Sequence, residues 1–474
     1  MSRQRELAKN TAILTVGKIC TQCISFLLLP LYTALLDTAE YGLFDLLITY
    51  GTLLLPLVNW QFDQGIFRFM LDCREDHKGI SELFSTVFVV NTGQSLLYLL
   101  IIGIFSYVIG FEYADFIILY VILHVYTALF LQFARGLGKS KVYAVASFIS
   151  ASATVLFNVF TLVIFGMGLQ GLFIATLSSQ VLTILYLCTV IRPWKYFNIK
   201  YINKSTFTRI RRYSLPLIPN NLAWWVVNVS DRTIISYILG VALNGIYTVA
   251  NKFSNIFINF YNIFNLSWTE TVSLHYDDED RDIFLSEMIT IMYKLFTCAC
   301  FGIVACMPFI FPLMINERYA DAYPQIIILM YAMLFRVVVG LYSCVYIATK
   351  ESKKIAYTSV ASAVINIVVN LLLIGRLGLY AASLSTLVAF ASMAIIRYID
   401  INKAISMKIS SPILVSSIIL GCLLAVTYYI NETLINILML ILVCIYSFIM
   451  NRDFVASAVK LVLSFIKLPA HKDK

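Results

Sequence analysis

Charge is scarce in this sequence. Lysine, arginine, aspartate and glutamate make up 13% of its 474 residues, against about 25% in a soluble globular domain. Together with 60% hydrophobic residues and a mean hydropathy of +0.84, that shortage excludes a chain exposed mainly to water. No Walker A loop, HExxH or GxSxG occurs, so ATP hydrolysis and hydrolase chemistry through those motifs are excluded. Period-two alternation is also missing, which excludes a membrane β-barrel. The ten cysteines fall mostly inside apolar runs, where they behave as small hydrophobes. Cys20 and Cys23 form a CxxC with no histidine or second CxxC beside it, so no metal or cofactor is expected.

What the chain does have is a succession of long apolar runs. Crossing ~30 Å of hydrocarbon takes about 17–25 helical residues. Fourteen runs qualify, at 10–36, 43–62, 82–109, 113–134, 142–166, 169–191, 214–239, 242–270, 288–315, 322–349, 355–374, 377–398, 411–430 and 433–450. Backbone groups in lipid need internal partners, so the expected fold is an all-α polytopic membrane protein with about fourteen transmembrane helices. The run from Asn10 to Leu36 is too long for a signal peptide and lacks a small-residue cleavage site, so it reads as the first membrane helix. Asp453 to Leu468 is amphipathic and suits a membrane surface.

The net charge of +9 follows the loops and does not imply nucleic-acid binding. With the N-terminus cytoplasmic, 28 of the 35 lysines and arginines fall on the cytoplasmic side, whereas only Arg318 and Arg376 fall opposite. Lys18, Lys252, Lys294, Arg232 and Arg336 lie within spans. The positive-inside rule then puts both termini in the cytoplasm.

An internal repeat organises the spans. YTALLDTAEYGLF (Tyr32 to Phe44) resembles ISYILGVALNGIY (Ile235 to Tyr247) at an offset of 203, and GLFIATLSS (Gly171 to Ser179) resembles GLYAASLST (Gly378 to Thr386) at 207. GKSKVYA after the fourth span resembles KESKKIA after the tenth. The expected organisation is a six-helix bundle (1–191), a basic cytoplasmic linker (192–213), a second bundle in parallel repeat (214–400), two extra helices (401–450) and a cytoplasmic amphipathic tail (451–474). Parallel repeats put a substrate path between the halves.

Polar residues inside the spans sort by helical spacing. On the second span Asp45, Thr49, Thr52, Pro56, Asn59 and Asp63 share one face. The seventh carries Asn221, Trp225, Asn228 and Arg232, with Asp231 alongside; the eighth carries Asn251, Asn255, Asn259 and Asn262, with Lys252 flanking. Such asparagines either join helices at ~0.6 kcal/mol per bond or line a wet cavity. Lys18, Lys252 and Arg336 lack an obvious acid, and intramembrane charge costs roughly 2.5–3.5 kcal/mol on insertion scales, so these three read as a binding site. Asp231 and Arg232 suit either a local ion pair or a transport role; His124 suits packing or a proton relay. Pro216 and Pro219 are expected to bend the seventh span or break its first turn.

The segments SFLLLPLYTALLDTAEYGLFDLL, FDQGIFRF, ARGLGKSKVYA, YSLPLIPNNLAWWVVNVSDRTIISYILG and IYTVANKF resemble the bacterial polysaccharide and O-antigen flippases of the multidrug/oligosaccharidyl-lipid/polysaccharide (MOP) exporter superfamily. The resemblance spans about 400 residues, with PLIPNN and SDRTI its most specific parts. It implies two facing bundles and alternating access in the bacterial inner membrane. The implied cargo is an oligosaccharide on undecaprenyl pyrophosphate, with membrane lipids and the polysaccharide polymerase machinery as partners. Lys18, Arg232, Lys252 and Arg336 would then meet the pyrophosphate, and Asn59, Asn221, Trp225, Asn228, Asn255 and Asn259 the sugars. Asp63 and Asp231 are the candidates for ion coupling, and Pro216 and Pro219 for a gate. Two other readings remain: a multidrug or metabolite antiporter, which would need buried carboxylates, and a membrane glycosyltransferase or polymerase. The longest outward loop, roughly Asn316 to Asp321, is short for an enzyme site.

Overall fold

The computed structural model describes residues 26–349, 351–403 and 405–452, without certain side chains, that of Asn228 among them. Most of the first expected span, with Lys18 and the Cys20–Cys23 pair, and the amphipathic segment 453–468 lie outside the described residues.

Helices account for the regular structure, and no strand occurs among the described residues. In chain order they are α1 (Leu29–Leu35), α2 (Thr38–Asn59), α3 (Phe62–Met70), α4 (His77–Ile109), α5 (Ala114–Gly136), α6 (Ser140–Asn158), α7 (Gly168–Ile191), α8 (Lys204–Ser214) and α9 (Leu217–Ile238). There follow α10 (Val241–Leu274), α11 (Arg281–Met314), α12 (Tyr323–Ala348), α13 (Ser352–Leu377), α14 (Leu379–Ile401), α15 (Ser411–Ile430) and α16 (Thr433–Met450). Eleven are long and apolar enough to cross a membrane: α2, α4 to α7 and α11 to α16, with α6 prolonged by a π-helical turn over Val159–Ile164. At 22 and 34 residues, α9 and α10 also have the length to span. The protein is a multi-pass membrane protein.

Two helices begin well ahead of the apolar runs expected at 82–109 and 288–315. α4 starts at His77, capped by Asp76, and α11 at Arg281; those first turns are polar, so apolar content cannot mark them. Where polar residues bound an apolar run directly, as at Ser411–Ile430 and Thr433–Met450, expectation and structure coincide.

The chain divides into two compact units, with the boundary between Val249 and Ala250 inside α10. In the first, a capping box starts α2: Asp37 Oδ1 accepts from the Glu40 backbone at 2.7 Å and Glu40 Oε2 accepts from the Asp37 backbone at 3.2 Å. Glu40 Oε1 also accepts from Leu169 N at 3.3 Å, tying α2 to the start of α7. At its other end α2 stops where Trp60 and Gln61 adopt left-handed φ values of 51° and 58°. Asp63 therefore belongs to the short helix α3 and not to a continuous α2.

In the second unit α12 is a central strut. Tyr331 Oη on α12 donates to the Gly421 carbonyl of α15 at 2.7 Å, and the Tyr323 and Tyr428 rings stack at 4.3 Å. Tyr293 Oη of α11 lies 2.7 Å from Ser417 Oγ. These contacts fix α15 to α11 and α12, and apolar side chains of α15 and α16 such as Ile419, Leu434 and Ile449 are left exposed for lipid.

Candidate functional site

The polar face of α2 exists as its spacing predicts, but its two halves behave differently. In the first half Gly42 lies against the start of α10. A Cβ on Gly42 would run into the Val241 carbonyl and sit 2.7 Å from Gly245 N; a Cβ on Gly245 would run into the Thr38 carbonyl. Only glycine permits so close a backbone approach. Asn244 Nδ2 secures it by donating to the Gly42 carbonyl at 3.0 Å. The contact is reciprocal in sequence: the repeat offset of 203 maps Thr38 onto Val241 and Gly42 onto Gly245.

Further along the same face, Arg232 of α9 places Nη1 3.3 Å from Asp45 Oδ1 and donates to Thr49 Oγ1 at 3.1 Å. Trp225 Nε1 donates to the Thr49 carbonyl at 3.1 Å, and its ring lies 6.2 Å from that of Tyr50. Tyr50 Oη reaches Thr233 Oγ1 at 3.3 Å. From Gly42 to Tyr50, α2 is zipped onto α9 and α10. Asp231 accepts from Tyr247 Oη at 3.2 Å, so the two charges adjacent in sequence serve different helix contacts.

Past Thr49 the face opens into a cavity of about 450 Å³. Thr52, Pro56 and Asn59 line it from α2, Gln64 and Asp63 from α3, His124 from α5, and Asn221 and Trp225 from α9. The helix break shapes this end. Asn59 Oδ1 accepts from Gln61 N at 2.9 Å, and its Nδ2 donates to Asp63 Oδ1 at 3.0 Å, with Gln64 Nε2 on the other carboxylate oxygen at 2.8 Å. Burial pushes the Asp63 carboxyl above the usual carboxylate range, although the hydrogen bonds from Gln64 and Asn59 pull it back. His124 Nδ1 is buried with no hydrogen-bond partner among the described residues. The cavity thus combines amide side chains, the face of an indole ring whose N–H is engaged by Thr49, and one carboxylate, a lining suited to hydroxyl-rich groups and sugar rings.

Pro216 and Pro219 do not bend a long helix. Pro216 ends the two-residue turn that separates the basic helix α8 from α9, and Pro219 lies in the first turn of α9. The remaining expected site residues belong to the second unit. Lys252, Asn255 and Asn259 on α10 and Arg336 on α12 are all partly buried. Arg336 holds its guanidinium 5.5 Å from the centre of the Phe390 ring. One turn on, Gly340 lets Tyr261 of α10 approach closely, and Trp268 Nε1 donates to the Leu341 carbonyl at 3.1 Å.

One buried cation escapes the sequence reading. The charge count assigns Arg397, at the end of the twelfth run (377–398), to the cytoplasmic side, but it lies within α14 at 2% exposure. Its guanidinium donates to Thr358 Oγ1 at 3.0 and 2.8 Å, to Ser359 Oγ and the Val339 carbonyl at 3.3 Å each, and to Ser343 Oγ. The signal available was its neighbours' helical spacing: Tyr398 and Ile401 still continue the apolar pattern.

The profile of the polysaccharide biosynthesis protein family matches residues 7–269, more than half of the chain. No curated protein gives a significant match. Among solved structures, the lipid II flippase MurJ in an inward closed conformation is similar with a TM-score of 0.67 at 15% identity, over 94% of this chain and all of that one. An inward-facing multidrug resistance MATE transporter of the MOP superfamily follows at 0.63 and 14%, over 80% of this chain and 93% of that one. A MOP superfamily transporter from Pyrococcus furiosus, described by the reversed polarity of its binding pocket, scores 0.54 at 15%, over 82% and 94%. At such identities these are likenesses of fold. The chain therefore has the fold of the MOP superfamily and, by its profile, belongs to the polysaccharide biosynthesis protein family.

Proposed function

We propose that this protein is a flippase that moves undecaprenyl-pyrophosphate-linked oligosaccharide units from the cytoplasmic to the outer leaflet of the bacterial inner membrane. Surface polysaccharide assembly is the pathway it would serve. The carrying observation is the divided face of α2, sealed by Gly42, Asp45 and Thr49 at one end and open to a cavity with Asn59, Asn221 and Trp225 at the other. A wall closed at one end and open at the other suits one state of an alternating-access cycle. The family match supports a polysaccharide cargo, the repeat supports two bundles, 1–191 and 214–400, and the loop charges support termini in the cytoplasm.

In this reading Lys18, Lys252 and Arg336 meet the pyrophosphate, because an anion in a water-poor site needs cationic donors. Arg232 takes part when its pair with Asp45 opens. An inside-negative potential adds ~2.3 kcal/mol per charge per 100 mV to outward movement of an anion. The test is deletion of the gene. The lipid-linked intermediate should accumulate on the cytoplasmic leaflet, with recovery on complementation by the wild type but not by Lys252→Ala or Arg336→Ala at equal expression. Normal polysaccharide in the deletion strain would overturn the reading.

One observation favours a second reading. Asp63 is a buried carboxylate on a cavity wall, which is what a transporter of organic cations requires. Efflux of organic cations from vesicles decides it: robust pumping that stops with Asp63→Asn supports an antiporter of the same superfamily.

A further inference from the structure

We propose that the basic end of α13 and α14 is a binding site for one anionic phospholipid, separate from the cavity of the first unit and independent of which cargo is moved. A pocket of about 490 Å³ opens there, lined by Lys353, Lys354 and Tyr357 of α13, Ile399 and Asp400 of α14, and Lys403 just beyond. Its one carboxylate is already engaged. Asp400 Oδ2 receives Tyr346 Oη at 2.9 Å and Lys354 Nζ at 3.1 Å, and the same ammonium lies 3.1 Å from Glu351. Lys353 and Lys403 are exposed and take part in none of the ion pairs among the described residues, so the pocket presents their charge to a ligand. Beneath it, Arg397 is held by neutral oxygens, including the Oγ1 of Thr358, itself a lining residue. Among the described residues no carboxylate pairs with it, so its positive charge adds to the field.

The second half of the argument is apolar. Tyr357, Val360, Val364, Val368 and Leu371 recur at helical spacing down α13, and each is 48–77% exposed. A phosphate held by Lys353 and Lys403 would leave acyl chains lying along this stripe. A free phosphate would use only the lysines, and a soluble acidic partner would leave the stripe uncovered. Cationic pocket and apolar stripe together match a lipid with an anionic head.

Native mass spectrometry of the purified full-length protein, titrated with phosphatidylglycerol and with phosphatidylethanolamine of identical chains, tests this. The expected result is retention of phosphatidylglycerol at roughly tenfold lower lipid concentration. That preference should disappear in the double variant Lys353→Glu, Lys403→Glu. It should persist in Lys141→Glu, the exposed position that the repeat pairs with Lys353, and in the presence of millimolar inorganic phosphate. If the double glutamate variant unfolds, the double glutamine variant replaces it, with the same loss expected. Equal retention of the two lipids, a preference that survives the double substitution, equal loss in Lys141→Glu, or displacement by phosphate alone would each overturn the proposal.

Discussion

Arg232 of the first unit and Arg397 of the second both sit inside long helices, and they are satisfied by different kinds of group. Arg232 faces one carboxylate and one hydroxyl on a single neighbouring helix, and its side chain keeps 18% of its exposure. Arg397 is 2% exposed and is held by hydroxyl and carbonyl oxygens from α12 and α13. No carboxylate pairs with it among the described residues. Releasing Arg232 frees one charge pair that either a ligand or water can re-satisfy. Releasing Arg397 would strand several buried acceptors at once, each at about 1–3 kcal/mol. The first arrangement suits a lock that opens during a cycle, the second a rivet that never does.

The comparison breaks most visibly at Arg397. Replacement by Leu should destabilise the protein by about 1–3 kcal/mol for each buried acceptor left unmade and abolish recovery of monodisperse protein, because satisfied polar groups on α12 and α13 lose their donor. A normal thermal unfolding profile for Arg397→Leu would remove the distinction. Next comes Gly42. Gly42→Ala puts a Cβ into the Val241 carbonyl, an overpacking of about 1–3 kcal/mol against the sealed state. Thiol labelling of a cysteine placed at Asn59 reports the open end; it should fall in the Gly42→Ala background, and unchanged labelling would show that the glycine contact does not control access.

At Arg232 the effects are smaller and non-additive. Asp45→Asn and Arg232→Gln should each lower stability more than half as much as the pair together, since each single change leaves a charge behind. Strict additivity in a double-mutant cycle would mean the 3.3 Å pair is incidental. Asp63 is the most modest case. Because its carboxyl is raised, the neutral form persists above the ordinary carboxylate range, and a transport step that needs the ionised form must rise as pH increases through that raised value. Asp63→Asn should flatten this dependence; an unaltered pH profile would remove Asp63 from the coupling candidates.

How much of this was legible in the sequence depends on how local the cause is. Spans bounded by polar residues, such as α15 between Ser410 and Asn431, and the i, i+3/i+4 face on α2 follow from local pattern alone. The break between Asn59 and Phe62 does not: Trp60 and Gln61 take left-handed backbone with neither glycine nor proline to announce it. Pairings between distant residues were equally hidden. Asp45 with Arg232, and Arg397 with Ser343 and Thr358, depend on how helices pack, which a charge count by loops cannot register. The site was therefore readable as a set of faces, but not as a division between seal and cavity.

Transfer of lipid-linked oligosaccharide across vesicles containing only the purified protein tests the account most directly. Undecaprenyl-pyrophosphate oligosaccharide should cross in protein-containing vesicles, with transfer falling at least about tenfold in Lys252→Ala and Arg336→Ala, as expected for loss of charge-assisted hydrogen bonds. No transfer above that of empty vesicles, together with efflux of organic cations from the same preparation, would contradict it.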